Sequence, residues 1–167
     1  MGGGRVRRKE QGRWLVAHEH HSFPLSSTGE QAVRAVHEGW FAGTAAKDLD
    51  GMMAHVAEDV VSYEHDVPRQ VLGRAGVREV CRTGLERSTG AVAWHVPEMA
   101  VVVRDDLAVA WGLNSMSAEL PDGTTVASTS RGTCVFRRRG GEWEMVHQHL
   151  SYPHDPETGR AVWDLPR

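Results

Sequence analysis

The chain has 167 residues, of which 40% are apolar and 25% are charged, and its formal net charge is −3. That length is typical of one globular domain, which buries a sizeable core without metal or disulfide staples. The near-neutral balance disfavours a nucleic-acid partner, because phosphate binding requires clustered, uncompensated Lys and Arg. No apolar run approaches the roughly 18 residues of a transmembrane helix, so we predict no membrane partner.

The cysteine count and the N-terminal sequence bear on location. Cys81 and Cys134 are too few for the disulfide framework of a small secreted protein, which favours a reducing compartment. The first ten residues are basic, but no apolar segment follows them, so they predict neither a signal peptide nor an anchor. We therefore predict a cytoplasmic protein.

The spacing of apolar residues predicts three helices in the first part of the chain. Between the second and third helices, residues 59–66 read as a strand that Pro68 ends, because proline cannot donate to a β-ladder. The predicted helix boundaries are Ser27 or Thr28 to Gly43 for the first, Lys47 and Asp48 as the start of the second, and Gly73 and Gly90 around the third.

The rest of the chain predicts strands rich in Val, Trp and Thr, over residues 91–103, 107–120, 125–138 and 142–152. Pro97 interrupts the first of them and predicts a bulge or a sheet edge. Three N-terminal helices followed by long strands predict an α+β fold in which the helices cover one face of a curved antiparallel sheet. Such a cone-shaped roll holds a small molecule at its wide end.

A repeated motif links the two ends of the chain. With an offset of 129, residues 8–25 match residues 137–154 at seven positions. We therefore predict an N-terminal extension (1–25) that repeats the C-terminal strand, a domain (26–154) and a C-terminal tail (155–167). The extension is either the end of an upstream unit or a retained strand that pairs at a sheet edge or with a partner chain. The matching pairs are Arg8 and Arg137, Gly12 and Gly141, Trp14 and Trp143, His18 and His147, His20 and His149, Ser22 and Ser151, and Pro24 and Pro153.

The stretch from Ser130 to Ser151 resembles the last two strands of SnoaL-like domains in the nuclear transport factor 2-like superfamily, especially the association domain of calcium/calmodulin-dependent protein kinase II. Val60 to Glu64, followed by Gly73 and a helix, is similar to the first strand and third helix of that family. The resemblance implies a cystatin-like cone, a pocket and a homodimer, but no single chemistry, since the fold hosts isomerases, cyclases, dehydratases and silent association domains. Where the kinase-association branch has pocket arginines, this chain has Cys134 and Leu150.

Two C-terminal histidines are candidates for chemistry. Strict alternation places Trp143, Met145, His147 and His149 on one face of the last strand, and Gln148 and Leu150 on the other. The histidine pair is a usable two-point metal site if Glu64, His65 or His95 supplies a third ligand. The simpler interpretation is two neutral, hydrogen-bonded rings, so we predict neither a metal nor another cofactor.

A second candidate set lies at the end of the first predicted main-sheet strand. A partly desolvated Glu64 is suited to moving a proton next to a carbonyl, and Tyr63 to donating to the developing enolate oxygen. Because Tyr63 and Glu64 alternate, at most one of them faces the cone. The predicted catalytic residues are therefore Glu64, Tyr63, His147 and His149.

Further residues are predicted to contact the substrate. Trp111 and Asn114 alternate to opposite faces of one strand, so only one of them lines the pocket, and Asn114 is the more informative of the two. The full set of predicted substrate contacts is Trp40, His65, Trp111, Asn114 and Cys134.

These observations lead to three functional hypotheses. The first is a cofactor-independent enzyme or binding protein of the ketosteroid isomerase-like or cyclase-like kind, which acts on a hydrophobic carbonyl compound. The second is a non-catalytic association module that dimerises through its outer sheet face. The third is a metal-dependent enzyme that uses His147 and His149. An inward-facing His or carboxylate with a perturbed pKa favours the first, and a filled cone with an apolar outer face favours the second.

Overall fold

The computed structural model describes the backbone of residues 2–10, 13–22, 27–66 and 68–162, and the side chains of residues 28–66 and 68–162. Strands β1 (Gly2–Glu10) and β2 (Arg13–Ser22) pair with each other in an antiparallel sheet of their own. Residues 163–167 of the predicted C-terminal tail lie outside the described residues. The described part of that tail folds back, since Ala161 bridges to His154.

Helix α1 (Ser27–Ala46) continues past its predicted end at Gly43. Gly43 is instead buried at the contact with the next helix, where a Cβ atom would meet Met52 Cγ at 2.9 Å. The lack of a side chain at this position lets the two helices approach closely. The helix ends at Lys47, whose left-handed φ of 54° cannot continue an α-helix.

Two shorter helices complete the helical layer. Helix α2 (Leu49–Met53) is capped by Asp48, whose carboxylate accepts hydrogen bonds from the backbone N–H groups of Asp50 and Gly51, both at 3.1 Å. Helix α3 (Gly73–Glu86) begins at a glycine with φ +75°, and it buries Val77. Among the described residues no helix combines the length and apolarity needed to cross a membrane.

The main sheet has seven strands in the order β4-β3-β9-β8-β7-β5, with β6 also paired to β7. The predicted strand over 91–103 is divided in two around Pro97, so its second half becomes β6. The pairing of β3 with β9 is parallel and the others are antiparallel, which makes the sheet mixed rather than purely antiparallel. The strands are β3 (Val56–Tyr63), β4 (Val71–Leu72), β5 (Val92–His95), β6 (Ala100–Arg104), β7 (Leu107–Glu119), β8 (Thr125–Arg139) and β9 (Glu142–Ser151).

The core lies between the helices and the concave face of the sheet. Val33 of α1 and Phe136 of β8 are almost completely buried there, at 0% and 1% exposure. Burying a large apolar side chain of this kind stabilises the fold by about 1.5–3 kcal/mol. The same buried cluster includes Met52, Met53, Val56, Val60, Val77, Trp143 and Met145.

A β-bulge in β9 decides which side chains face this core. Val135 of β8 pairs with His147 and Phe136 pairs with Met145, so Val146 is an extra residue on β9. An extra residue reverses the alternation beyond it. Consequently His147 does not share the face of Met145, and the prediction from strict alternation fails at this point.

Candidate functional site

A narrow cavity of about 30 Å³ lies between α1 and the concave face of the sheet. Its size suits one or two water molecules or the tip of a ligand. Aromatic and aliphatic side chains form most of the wall, and the polar groups are few. The polar lining residues are His37, His55, Asn114 and Gln148, and the predicted substrate contacts Trp40 and Cys134 also line it.

His37 lies on α1 at the wall of this cavity. Its ring packs against Phe136, with centroids 5.2 Å apart, and against Phe41 at 5.7 Å. Burial, assisted by the positive charge of Arg34, lowers the pKa of His37 to about 4. Its Nε2 atom is buried and has no hydrogen-bond partner among the described residues. His37 is therefore a neutral imidazole at pH 7 with a polar atom available to a ligand.

Asn114 of β7 supplies a second polar group to the same cavity. Its Oδ1 atom accepts a hydrogen bond from the Trp94 indole N–H at 3.0 Å, and its Nδ2 atom donates to Ser130 Oγ at 3.3 Å. Gly132 makes room for this amide, since a Cβ atom there would clash with Asn114 Nδ2. An amide nitrogen carries two N–H groups, so Asn114 keeps one donor beyond the bond to Ser130.

Gln148 of β9 connects the cavity to Glu64. Its Nε2 atom donates to Ser62 Oγ and to Glu64 Oε1, each at 3.2 Å, and Ser62 also donates to Glu64. Gln148 and Ser62 are buried, whereas Glu64 is partly exposed. Glu64 lines neither the narrow cavity nor the wider one described next, so its carboxylate lies one hydrogen bond behind the Gln148 amide.

A wider cavity of about 490 Å³ lies between α3 and the strands β5, β7 and β8. It shares Met52, Trp94 and Leu150 with the narrow cavity. The predicted contact His65 lines it, with its ring stacked on Tyr152 at 4.3 Å between centroids. Burial lowers the pKa of His65, against the raising effect of Asp66. The volume of the wider cavity is within the range of small-molecule pockets.

Both cysteines are free thiols placed along these cavities. Cys134 lines the narrow one and Cys81 the wide one. Burial, together with the negative charge of Glu64, raises the pKa of each thiol to about 12. The thiolate is the nucleophilic form, so neither residue is an activated nucleophile.

The other predicted catalytic residues lie on the outer face of the sheet. Tyr63 contacts His147 and His149 edge to face, with centroid distances of 5.0 and 5.9 Å. His147 donates from Nδ1 to the Val61 carbonyl at 2.8 Å. None of the three lines either cavity. The bulge at Val146 accounts for the position of the two histidines, which the alternation prediction had placed beside Met145.

Two further predicted residues, Trp111 and His95, are exposed on strands of the sheet. Trp111 is 45% exposed on the outer face, opposite to the buried Asn114. His95, proposed as a third metal ligand, is exposed on β5. Within the described side chains, no group of three or more His, Cys, Asp or Glu is arranged to hold a metal ion. The described residues therefore offer the metal-dependent hypothesis no support.

Sequence reasoning missed His37 and Gln148. A signal for His37 was present, because it follows Val33 by four residues and precedes Phe41 by four, which places it on the apolar face of α1. No comparable signal existed for Gln148. It faces the cavity because of the bulge at Val146, which the local sequence does not predict.

The comparisons with known proteins agree with this architecture. The family model of the SnoaL-like domain matches residues 33–155. A nuclear transport factor 2-like protein of unknown function from Pseudomonas putida has 28% identity and a TM-score of 0.77, with 85% of this chain and 99% of that chain covered. No curated protein matches the chain in sequence.

Two further solved structures share the fold at lower identity. One, from Xanthomonas campestris, is a proposed calcium/calmodulin-dependent protein kinase II association domain, with 20% identity, a TM-score of 0.67, and coverage of 83% of this chain and 95% of that one. The other is a proposed dehydratase of the same superfamily from Streptomyces avermitilis, with 17% identity, a TM-score of 0.69, and coverage of 75% and 97%. At these identities the likeness concerns the fold alone.

Proposed function

Because the chain belongs to the SnoaL-like domain family, we propose that its two cavities bind an uncharged, hydrophobic carbonyl compound and that the protein moves a proton on it without a cofactor. The observation that carries the proposal is the neutral His37 imidazole, with an unpartnered Nε2 atom, at the wall of an apolar cavity. A buried polar atom of this kind costs folding free energy unless a ligand or water engages it.

The proposed reaction gives each polar group a separate role. His37 Nε2 removes a proton from the carbon next to the carbonyl and becomes an imidazolium, while the bonding electron pair moves to the carbonyl oxygen. The remaining N–H of Asn114 donates to that oxygen as its negative charge develops. In a substrate with a double bond between its β- and γ-carbons, return of the proton to the γ-carbon moves that double bond into conjugation and isomerises the substrate. A base of pKa about 4 is sufficient when the enolate is stabilised in this way.

Glu64, which the sequence offers as a base alongside His147 and His149, has a different role in this scheme. Its carboxylate holds the Gln148 amide from behind, so we propose that it positions the cavity wall. Direct proton transfer by Glu64 is the competing possibility. The two are separated by matched variants, His37→Asn and Glu64→Gln, which each remove a titratable group and leave a polar side chain.

The test measures proton exchange and binding separately. A bicyclic ketone such as 2-tetralone is incubated with the protein in D₂O, and loss of its α-proton signal is followed by NMR. We expect His37→Asn to slow the exchange by at least about 100-fold, with less than a threefold change in binding measured by tryptophan fluorescence. Glu64→Gln should slow it less than His37→Asn, and His149→Ala, on the outer face, should leave it unchanged.

Other outcomes would change the proposal. Binding without exchange above the buffer rate would reduce the protein to a binder, and no binding of neutral ketones would remove the substrate class. A larger loss in Glu64→Gln than in His37→Asn would assign the base to Glu64. The rate should be lost as the pH falls through about 4, because His37 acts as a base only in its neutral form.

We further propose a homodimer formed by the outer sheet face, located in the cytoplasm. Leu107, Trp111 and Leu113 alternate onto this face of β7 and are 45%, 45% and 49% exposed. Contiguous exposed apolar side chains of this kind are typical of protein interfaces. Trp111→Lys should convert the dimer to a monomer in analytical ultracentrifugation, with the control Glu38→Ala, at an exposed position of helix α1, unaffected. A wild-type monomer at micromolar concentration would contradict this proposal.

A further inference from the structure

The β1–β2 hairpin repeats the β8–β9 hairpin in register as well as in sequence. Adding 129 to each residue number converts every residue pair of the β1–β2 ladder into a pair of the β8–β9 ladder. The pair of Arg5 and Glu19, for example, corresponds to the pair of Cys134 and Gln148. The identities Gly3 with Gly132 and Val6 with Val135 raise the matching positions from seven to nine.

The bulge is repeated too. In β1–β2 the register shifts between Val6 and Arg7, which leaves Ala17 as the extra residue. Ala17 corresponds to Val146, the extra residue of β9. A turn sets the register of a hairpin but not a bulge several residues away from it. The shared bulge is therefore a second likeness between the hairpins, beyond the matching residues.

The place of such a hairpin in the main sheet is already occupied. Strand β8 pairs with β7 and β9, and β9 pairs with β8 and β3, so both strands are interior. The copy forms a separate sheet of two strands. A two-stranded hairpin is marginally stable in water, and its outer edges offer unpaired backbone groups to another sheet. In β8–β9 the corresponding edges bind an antiparallel strand, β7, and a parallel strand, β3.

We propose that residues 2–22 are the terminal hairpin of a second SnoaL-like sheet. Their partner is a sheet without its own terminal hairpin, which offers a β7-like strand to β1 and a β3-like strand to β2. That sheet belongs to a separate chain, because the seven-stranded sheet among the described residues already holds its own terminal hairpin.

The partner sheet differs from the one in this domain. Arg5 and Arg7 occupy the register positions of Cys134 and Phe136, both of which line the narrow cavity here. Charged groups at these positions would be buried in an apolar wall at a cost of several kcal/mol. The hairpin therefore suits a sheet whose concave face accommodates charge, not a second copy of this domain.

Chimeras of the full chain test the fit. In the first, residues 2–22 replace residues 131–151, while positions 134, 136, 145, 148 and 150 keep their present residues. We expect cooperative thermal unfolding within about 10 °C of the parent. A control graft of residues 3–23 at the same place shifts the register by one and should not fold cooperatively. Failure of the first chimera, or equal stability of the control, would overturn the proposal.

A third chimera tests the difference between the two sheets. It carries residues 2–22 without the five retained positions, and we expect it to unfold at least about 15 °C below the first chimera. Equal stability would mean that a second copy of this domain is an adequate partner and would contradict that part of the proposal.

Hydrogen–deuterium exchange of the intact chain gives an independent measurement. Amides of residues 2–22 should exchange at least about 100-fold faster than those of β8 and β9, because the hairpin has no partner sheet when the chain is alone. Equal protection would show that the hairpin already packs within an assembly of this chain, which would overturn the proposal. Neither readout involves a ligand, so the result is independent of the proposed enzyme activity.

Discussion

The inner and outer faces of the sheet around β9 carry different chemistry. On the inner face, Asn114 and Gln148 are uncharged, buried and hydrogen-bonded, at 4% and 5% exposure. On the outer face, Tyr63, His147 and His149 form an aromatic cluster outside the cavities. These tyrosine and histidine side chains are thus turned away from both cavities. The position of one extra residue, Val146, therefore decides which side chains of β9 a ligand can contact.

The largest effect on the difference between the two faces is expected from a change that cancels the β-bulge. Inserting one alanine between Val135 and Phe136 gives Val146 a partner and reverses the facing of one end of both strands. We expect loss of cooperative unfolding in urea, since Cys134 and Gln148 would then face outward. Deletion of Val146 is the matched control, because it removes the bulge but keeps every side chain on its face. It should fold, at a cost of about 1–3 kcal/mol. An insertion as stable as the deletion would contradict this account of the two faces.

The inner face is tested next by removing its amide. Asn114→Leu keeps the branching and the number of heavy atoms of the side chain but leaves the partly buried Trp94 indole N–H without its acceptor. We expect a loss of about 2–3 kcal/mol in the free energy of unfolding. The double variant Asn114→Leu with Trp94→Phe should lose less than the sum of the single variants, because the N–H and its acceptor are removed together. Strict additivity would mean that the hydrogen bond does not stabilise the fold.

The pH dependence of stability tests whether His37 is buried in its neutral form on the inner side of the sheet. His37 has a folded pKa of about 4, below the usual value of 6.5, so the unfolded chain binds its proton first as the pH falls. Its contribution to stability is therefore present above pH 6.5 and is lost between pH 6.5 and 4. The loss is about 2–3 kcal/mol.

The measurement compares the unfolding free energies of the parent and His37→Phe at pH 7 and pH 4.5. The difference between the two proteins should shift in favour of His37→Phe by about 2 kcal/mol at the lower pH. Gln31→Ala, at an exposed and non-titrating position of the same helix, is the control and should show no such shift. A parallel pH dependence of all three proteins would mean that His37 is not buried in its neutral form.

The smallest effect is expected on the outer face. His149 is exposed, and its ring contacts Tyr63. His149→Ala should change the unfolding free energy by no more than about 0.5 kcal/mol. Its buried neighbour Gln148→Ala should lose about 2 kcal/mol, because Ser62 and Glu64 lose a donor. Equal effects at the two positions would remove the distinction between the faces. We also expect Gln148→Ala to weaken the binding of 2-tetralone measured by tryptophan fluorescence.

Local sequence determined most of the elements of this protein. Apolar spacing, the Asp48 cap and the glycine turns specify the three helices and the long strands, because each depends on residues within one or two turns of chain. The motif from Ser130 to Ser151 also identified the SnoaL-like family, which the family match over residues 33–155 confirms. The C-terminal end of α1 could not be predicted from local sequence, since Gly43 marks a close contact with Met52 and not a terminus.

Only the tertiary structure decided which residues surround the cavity. Alternation is a local rule, and a single extra residue reverses it, so Val146 moved the histidine pair outward and Gln148 inward. His37 became a candidate only when α1 packed against Phe136, because desolvation by distant parts of the chain lowers its pKa. The repeated hairpin shows the same division. Its sequence alone indicates a copy of β9. The repeated bulge is seen only in the register of the ladder, because strand pairing joins residues that no local pattern relates.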